Sequence, residues 1–216
     1  MVIDRDVPLA AASLIGCAVL TGTGAVLNRA RPRPGQSAQV IGIGGIGLNV
    51  LQGLAIANCG PIIAVDANPA KEAAARQFGA THFIAAGPDV DTAAAVKEIC
   101  PLGVDFAFEC VGHPALIRQS IDLLDWGGSC VLLGVPKFGS EASFVVNTLY
   151  NDKSILGCRY GAARPHHDIP LFIELYKAGK LKLDELVSAT YQPEQIQDAL
   201  DAMHGGALNR AVLTWA

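Results

Sequence analysis

The sequence has no run of basic residues, and its acidic residues outnumber its basic ones. The 16 Lys and Arg residues are scattered among 20 Asp and Glu residues, which gives a formal net charge of −4. Proteins that bind nucleic acids or anionic membranes usually present clustered positive charge. We therefore expect neither partner for this chain, and we predict instead a small neutral or weakly charged ligand.

Closely spaced cysteine pairs are also missing, because none of the six cysteines belongs to a C-x-x-C motif. The sequence therefore indicates neither a zinc knuckle nor a redox-active disulfide. Free thiols behave as small apolar groups, so we expect mostly buried, unpaired cysteines. Unpaired cysteines are compatible with a cytoplasmic protein.

A clean membrane-spanning run is absent as well, although the residues from Pro8 to Leu27 are mostly apolar. The segment Thr21-Gly22-Thr23-Gly24 makes this stretch too polar and too glycine-rich for a membrane span. The tetrapeptide Leu14-Ile15-Gly16-Cys17 matches bacterial lipoprotein signals, but the residues before the stretch are net negative where an export signal needs positive charge. We therefore predict a buried helix from about Ala10 to Ala30 rather than an exported lipoprotein.

Apolar runs of strand length alternate with longer helical patterns along most of the chain. This alternation predicts an α/β fold in which helices cover a doubly wound parallel sheet, the Rossmann fold. The expected strands are Gln39–Ile43, Pro61–Val65, His82–Ala85, Val104–Phe108, Ser129–Leu133 and Ser154–Leu156. The expected helices between them are Ile46–Asn58, Pro69–Phe78, Thr92–Ile99 and Pro114–Leu124.

The pattern changes after Gly157, which divides the chain into two expected parts. A polar segment from Arg164 to Asp168 precedes two predicted amphipathic helices and a last short strand at Arg210–Thr214. In the second helix, the apolar residues recur at helical spacing and are expected in the core; they are Ile196, Ala199, Leu200 and Met203. We predict a nucleotide-binding domain over residues 1–158 and a helical carboxyl-terminal appendage over residues 159–216.

A glycine-rich motif lies between the first predicted strand and the first helix of the sheet. Glycines at such a place permit a tight turn, let a pyrophosphate approach the backbone and allow close contact between helix and strand. The free N–H groups of the helix that begins near Ile46 would point at the phosphates. The motif predicts a dinucleotide site that includes Gly42, Gly44, Gly45, Ile46 and Gly47.

Asp66 ends the second apolar run, about 20 residues after the glycines, where a carboxylate accepts hydrogen bonds from the adenosine ribose. Its charge would repel the 2′-phosphate of NADP, and no Arg follows it directly. The sequence therefore predicts NAD rather than NADP as the cofactor. The alternative role for Asp66 is a cap of the following helix.

Several short motifs resemble a known family when they are taken as a set. They are Leu14-Ile15-Gly16-Cys17, Thr21-Gly22, Gly42–Gly47, Val65-Asp66, Phe108-Glu109-Cys110-Val111-Gly112, Gly134-Val135-Pro136, Gly157-Cys158-Arg159-Tyr160-Gly161 and Asp168-Ile169-Pro170. This set resembles the coenzyme domain of zinc-dependent medium-chain alcohol dehydrogenases, most closely bacterial enzymes of the glutathione-dependent formaldehyde dehydrogenase class. The resemblance covers nearly the whole chain and implies an alcohol or aldehyde substrate. It also implies a homodimer formed through the edge strand near Ser154.

The resemblance implies further cofactor contacts. Lys71 would lie beside the adenosine ribose, Thr21 would back the nicotinamide ring, and Arg210 would contact the pyrophosphate. Val111, Leu133 and Val135 would form a wall around the nicotinamide, and Tyr160 would be the aromatic residue near the cofactor at the domain hinge. The alternatives are a solvated cation for Arg210 and plain core packing for the wall residues.

Cys17 matches a position that is a ligand of the catalytic zinc in the resembling family. Its partner ligands, a cysteine and a histidine, belong in that family to an amino-terminal domain that this sequence does not contain. The five histidines have no spacing that would replace them, and one thiolate alone does not hold a catalytic zinc. We therefore expect zinc in the complete family enzyme and not in this chain alone.

The favoured interpretation is the NAD-binding portion of a zinc-type alcohol or aldehyde dehydrogenase, inactive as this chain alone. Two alternatives stay open, namely a non-catalytic NAD-binding module and a zinc-free reductase of the same superfamily. Short-chain dehydrogenase chemistry is disfavoured because Tyr150 and Lys153 are one residue too close for a Tyr-x-x-x-Lys pair. A hydrolase is disfavoured because no G-x-S-x-G turn occurs.

Overall fold

The centre of the molecule is a six-stranded parallel sheet, seen in a computed structural model that describes residues 2–206 and 208–215. Its strands are β1 (Ala38–Ile41), β2 (Ile62–Asp66), β3 (His82–Ala85), β4 (Val104–Glu109), β5 (Leu124–Leu132) and β6 (Ser154–Gly157). They lie in the order β3-β2-β1-β4-β5-β6 and every pairing is parallel. The predicted doubly wound sheet is confirmed, and all six predicted strands are present. β3 has the predicted ends, and the other five strands differ from the prediction at one or both ends.

Helices cover both faces of the sheet, which explains why the central strands are apolar on both sides. The helices are α1 (Leu9–Ala30), α2 (Gly45–Ile56), α3 (Glu72–Gln77), α4 (Thr92–Ile99), α5 (Pro114–Asp122), α6 (Pro165–Lys177) and α7 (Ile196–His204). One face of the sheet packs against α1, α2 and α6 through a cluster that includes Val40, Leu51 and Phe172. The other face packs against α4 and α5 through residues such as Ile63 and Ile121.

The amino-terminal helix α1 is long and apolar enough to cross a membrane, but 67% of its most apolar window is buried in the fold. It approaches α2 very closely, since a Cβ on Gly22 would lie 2.5 Å from the Asn49 Cβ. Two stretches of α1, Ile15–Val19 and Ala25–Ala30, are π-helical. The predicted buried helix is therefore confirmed, and Gly22 allows its close contact with α2.

The carboxyl-terminal part differs from the predicted pair of helices and single strand. A strand that was not predicted, β7 (Val187–Tyr191), pairs in parallel with β8 (Arg210–Leu213). The polar segment that begins at Arg164 is in fact the cap and first turn of α6, and Asp168 within it is buried. The appendage is therefore helical with a two-stranded sheet.

The predicted core positions of α7 were mostly wrong. Ala199 is 3% exposed, whereas Ile196, Leu200 and Met203 are 46%, 39% and 50% exposed. The helical periodicity is real, but two short strands do not provide enough surface to cover an apolar helix face. An apolar face of α7 is consequently left partly open to solvent.

Candidate functional site

The candidate site lies at the carboxyl ends of β1 and β4, where the order of the strands reverses. Open parallel sheets bind ligands at this switch point, because the loops that leave the two strands diverge. Gly42 directly follows β1 and has a φ of +89°, and a Cβ there would lie 2.6 Å from Val111 Cγ2 in the loop after β4. The left-handed backbone and the close approach both require glycine at this position.

Gly44 and Gly47 have different structural roles in the glycine motif. A Cβ on Gly44 would meet nothing within 4 Å, so the space above its backbone is open. A Cβ on Gly47 would instead overlap the Gly42 carbonyl oxygen. Gly44 therefore leaves a cradle at the N-terminus of α2, and Gly47 lets this helix lie against the turn.

Arg210, the first residue of β8, reaches across to the same helix terminus. A Cβ on Gly45 would overlap its guanidinium group, so the guanidinium lies directly over the Gly45 backbone. Burial lowers the pKa of Arg210, and the nearby Cys17 offsets part of that effect, but a guanidinium stays charged at neutral pH. Within the described part of the chain no carboxylate forms an ion pair with it.

Asp66, at the end of β2, is tied to the glycine turn. Its Oδ2 atom accepts a hydrogen bond from the Ile43 N–H (2.7 Å), and Oδ1 accepts one from the Asn68 N–H (2.8 Å). The cap of the following turn is Asn68, whose side chain accepts from the Ala70 N–H. The alternative role of Asp66 as a helix cap is therefore taken by another residue.

Lys71 does not bond to Asp66 but extends toward the segment that precedes β8. Its Nζ donates to the Leu208 carbonyl (3.4 Å) and to Asn209 Oδ1 (3.2 Å). This contact joins the turn after β2 to the segment that carries Arg210. Lys71 thus borders the β2 end of the site.

Glu109 is a site residue to which the sequence analysis gave no role. It ends β4, is 0% exposed, and accepts hydrogen bonds from the N–H groups of Val111 (3.0 Å) and Gly112 (2.8 Å). The signal in the sequence was an acid that ends an apolar strand just before a glycine. Its carboxylate fixes the loop that carries Val111, and Val111 is 49% exposed above the sheet.

A cavity of about 560 Å³ opens beside the glycine turn, over the β5 and β6 end of the sheet. It brings together four of the five residues that the resemblance implied at the nicotinamide, and Val111 is the one that does not line it. Its lining includes Cys17, Thr21, Ile46, Leu133, Val135 and Tyr160. Val135 is 89% exposed, which rules out plain core packing for this residue, whereas Leu133 is buried.

Cys17 differs from the other cysteines because its thiol is exposed, on a π-helical turn of α1. Burial raises the pKa of Cys59 to about 11 and that of Cys130 to about 12, with a further contribution from a nearby carboxylate in each case. Over residues 2–206 and 208–215, no three His, Cys, Asp or Glu residues are placed to hold a metal ion together. Among the described residues, Cys17 therefore belongs to no three-residue group that could hold a metal ion.

Comparison with known proteins gives a consistent assignment. Residues 45–178 match the family described as zinc-binding dehydrogenase. The chain is 35% identical to S-(hydroxymethyl)glutathione dehydrogenase of Paracoccus denitrificans over 99% of its own length and 59% of that protein.

Solved structures agree with this assignment. Benzyl alcohol dehydrogenase of Acinetobacter calcoaceticus superposes with a TM-score of 0.95 at 34% identity, over 99% of this chain and 59% of that one. An alcohol dehydrogenase zinc-binding domain protein of Burkholderia ambifaria gives 0.94 at 35% identity, over 99% and 58% of the respective chains. The chain thus spans about three fifths of the length of these relatives. It belongs to the zinc-binding dehydrogenase family and contains the NAD-binding domain of that family's alcohol dehydrogenases.

Proposed function

We propose that the carboxyl edge of the sheet binds NAD(H) in an extended form. The adenosine ribose would lie on Asp66, and the pyrophosphate would lie over Gly44 and Gly45 beside Arg210. The nicotinamide would enter the cavity next to Thr21 and Val135. The observation that carries this proposal is the guanidinium of Arg210 above the N-terminus of α2.

Two positive charges meet at the N-terminus of α2. A helix N-terminus presents about half a positive charge and several free N–H groups. A guanidinium above that terminus adds a second positive charge, and no carboxylate in the described residues is paired with it. Because two like charges repel, the arrangement favours an anion between them, and the open space at Gly44 has room for a pyrophosphate.

The preference for NAD over NADP follows from Asp66. A carboxylate has about four acceptor positions, and the Ile43 and Asn68 N–H groups occupy one on each oxygen. Acceptor capacity remains for both hydroxyls of a ribose. A 2′-phosphate in the same place would meet a negative charge, so NADP is disfavoured.

The bound nicotinamide would supply hydride transfer, and we propose an alcohol or aldehyde as the substrate of the complete enzyme. Lone Cys17 does not provide the ligand set that a catalytic zinc needs. The zinc-dependent step therefore requires residues outside those described. A non-catalytic NAD-binding module is the second candidate, favoured by the exposed apolar face of α7, which a partner would cover.

Three further features are proposed with this function. The cofactor-binding domain would comprise residues 1–158, and residues 159–216 would belong with the catalytic portion of the complete enzyme. The free edge of β6 would form a homodimer contact, and the protein would act in the cytoplasm.

Arg210 provides the test. Arg210→Gln keeps a polar side chain but removes the charge, so NADH affinity measured by fluorescence titration should fall about tenfold, and its salt dependence should weaken. Arg76→Gln is the matched control, since Arg76 pairs with Glu72 on the exposed surface of α3. No NADH binding by the parent chain, or an equal loss in both variants, would contradict the proposal.

A further inference from the structure

A strained bend leads out of β6. Three consecutive residues, Tyr160, Gly161 and Ala162, have φ values of +48°, +65° and +48°. The left-handed region is unfavourable for residues with a Cβ, and such conformations persist only where the surroundings enforce them. Some part of the structure must therefore hold this bend in place.

The side chain of Asn28 holds the bend from α1, and Asp168 on α6 holds Asn28 in turn. Asn28, near the end of α1, donates through Nδ2 to the Gly161 carbonyl (3.3 Å) and to Asp168 Oδ2 (3.0 Å). Asp168 is 1% exposed and also accepts from the Arg164 N–H (2.7 Å) and from His167 Nδ1 (2.9 Å). Asn28 thus links the bend to the first turn of α6.

Asp168 is suited to this role because it stays ionised. Burial by itself would raise the pKa of its carboxyl group. The hydrogen bonds from His167, the Arg164 N–H and Asn28 outweigh burial and lower the pKa. An ionised acceptor forms stronger hydrogen bonds than a neutral one, so the carboxylate holds Asn28 firmly.

Close packing against α1 fixes the direction of the bend. A Cβ on Gly161 would overlap the Leu20 carbonyl oxygen, and a Cβ on Gly24 would lie 2.8 Å from the Gly161 carbonyl oxygen. The backbone therefore has little freedom to shift along the helix. The bend turns the side chain of Tyr160 toward the cavity that Thr21 and Val135 also line.

This placement sets Tyr160 far along the sheet from the adenosine end of the proposed site. Asp66 ends β2, whereas Tyr160 follows β6, and three strands lie between them in the order of the sheet. Tyr160 is 53% exposed, so its ring is available to a ligand. A cofactor that extends from Asp66 would bring its nicotinamide end to Tyr160.

We propose that Asn28 and Asp168 are positioning residues that hold the left-handed bend so that Tyr160 borders the nicotinamide end of the cofactor. The inference rests on the proposed NAD(H) site. It assigns the pair a role in binding one half of the cofactor only. Disruption of the pair should therefore weaken the binding of NADH, while ADP-ribose, which lacks nicotinamide, should bind as before.

The experiment compares NADH and ADP-ribose affinities of the 216-residue chain and of Asn28→Ala by titration calorimetry. We expect NADH to bind about tenfold more weakly and ADP-ribose to change less than about twofold. Asp105→Asn is the matched control, because Asp105 is another hydrogen-bonded carboxylate but lies near the amino-terminal end of β4, away from the proposed site. The ratio of its NADH affinity to its ADP-ribose affinity should equal that of the parent.

A double-mutant cycle with Tyr160→Ala separates positioning from general loosening of the fold. If Asn28 acts through Tyr160, then Asn28→Ala should cost no further NADH affinity in the Tyr160→Ala background. The inference is overturned if the ratio of NADH affinity to ADP-ribose affinity is unchanged in Asn28→Ala. It is also overturned if Asn28→Ala causes its full loss of NADH affinity in the double variant as well.

Asn28→Ser, which keeps a shorter donor, replaces Asn28→Ala in both measurements if the latter does not fold. Loss of the folded state in both variants, followed by circular dichroism, would make Asn28 a residue of the fold and overturn the positioning role. A parent chain that binds ADP-ribose and NADH equally tightly would also overturn the inference while leaving the adenosine half of the proposed function intact. A parent that binds neither would overturn both.

Discussion

At the scale of single residues, the charge of Asp66 is expected to decide between the two nicotinamide cofactors. Asp66→Ser removes the carboxylate that would repel a 2′-phosphate, a contact worth roughly 1–3 kcal/mol when partly desolvated. We therefore expect the preference for NADH over NADPH to narrow by about 5- to 150-fold. Fluorescence titrations of the parent and variant with both cofactors measure this ratio.

Asp89→Ser is the control for Asp66, because it removes the same charge from an exposed loop after the neighbouring strand β3. Its cofactor preference should stay that of the parent. Equal affinity of the parent chain for NADH and NADPH would refute the role given to Asp66.

The geometry of a turn can be predicted from the sequence where its motif is local. The glycine turn was recognised because its residues are contiguous, and the structure gives Gly42, Gly44 and Gly47 the space and contacts that such a turn needs. Arg210 lies over Gly45 although the sequence separates the two widely. No spacing rule links residues this far apart, and only the resemblance to a family suggested Arg210.

At the scale of elements, Asp105 links β4 to the residues just before β1. This link lies at the amino-terminal ends of the two strands, whereas the proposed site lies at their carboxyl ends. Its Oδ2 accepts from Ser37 Oγ (2.6 Å) and from the Ser37 N–H (2.8 Å), and its Oδ1 accepts from Gln36 Nε2 (3.1 Å). Asp105→Asn replaces one acceptor oxygen with a donor. We expect the free energy of unfolding, measured in urea, to fall by about 1–3 kcal/mol.

The loss of stability in Asp105→Asn should depend on pH. Burial would raise the pKa of Asp105, but the hydrogen bonds from Ser37 and Gln36 lower it below its ordinary value of 3.8. The stabilisation is therefore complete above that value and is lost as the pH falls through the lower pKa of the folded state. The difference in stability between parent and Asp105→Asn should be largest near neutral pH and shrink in acid. A difference that is constant down to pH values well below 3.8 would exclude the carboxylate as its source.

Element prediction succeeded where hydrophobic periodicity and length agreed, as in the six strands of the sheet. It failed at β7, where Val187, Ala189 and Tyr191 alternate with polar residues in the manner of a half-buried strand. The segment is short and follows a helix, so helical periodicity nearby masked the alternation. The exposure of Met203 could not be predicted either, because periodicity identifies an apolar face and not what covers it.

At the scale of the whole molecule, the candidate site is assembled from parts that are distant in sequence. The chain brings α1, the glycine turn and β8 together around one helix terminus and one cavity. The zinc-dependent step that we propose requires residues beyond those described, and the chain spans about three fifths of the length of its relatives. The apolar face of α7 and the thiol of Cys17 are both exposed in the described residues.

Metal content and activity test this view of the whole molecule. The purified 216-residue chain should contain far less than one zinc per chain and should not oxidise simple alcohols with NAD, because a lone thiolate cannot hold a catalytic zinc.

A fusion with the amino-terminal portion of a relative should restore both metal and turnover. Cys17→Ala in that fusion should then remove metal and turnover together, because we propose that the Cys17 thiolate is a zinc ligand and not a nucleophile. Cys158→Ala is the matched control, because Cys158 lines the same cavity, is half-buried, and should leave the zinc in place. Elemental analysis and an NADH absorbance assay measure the two quantities, and stoichiometric, tightly bound zinc in the isolated chain would show that its own residues assemble a metal site.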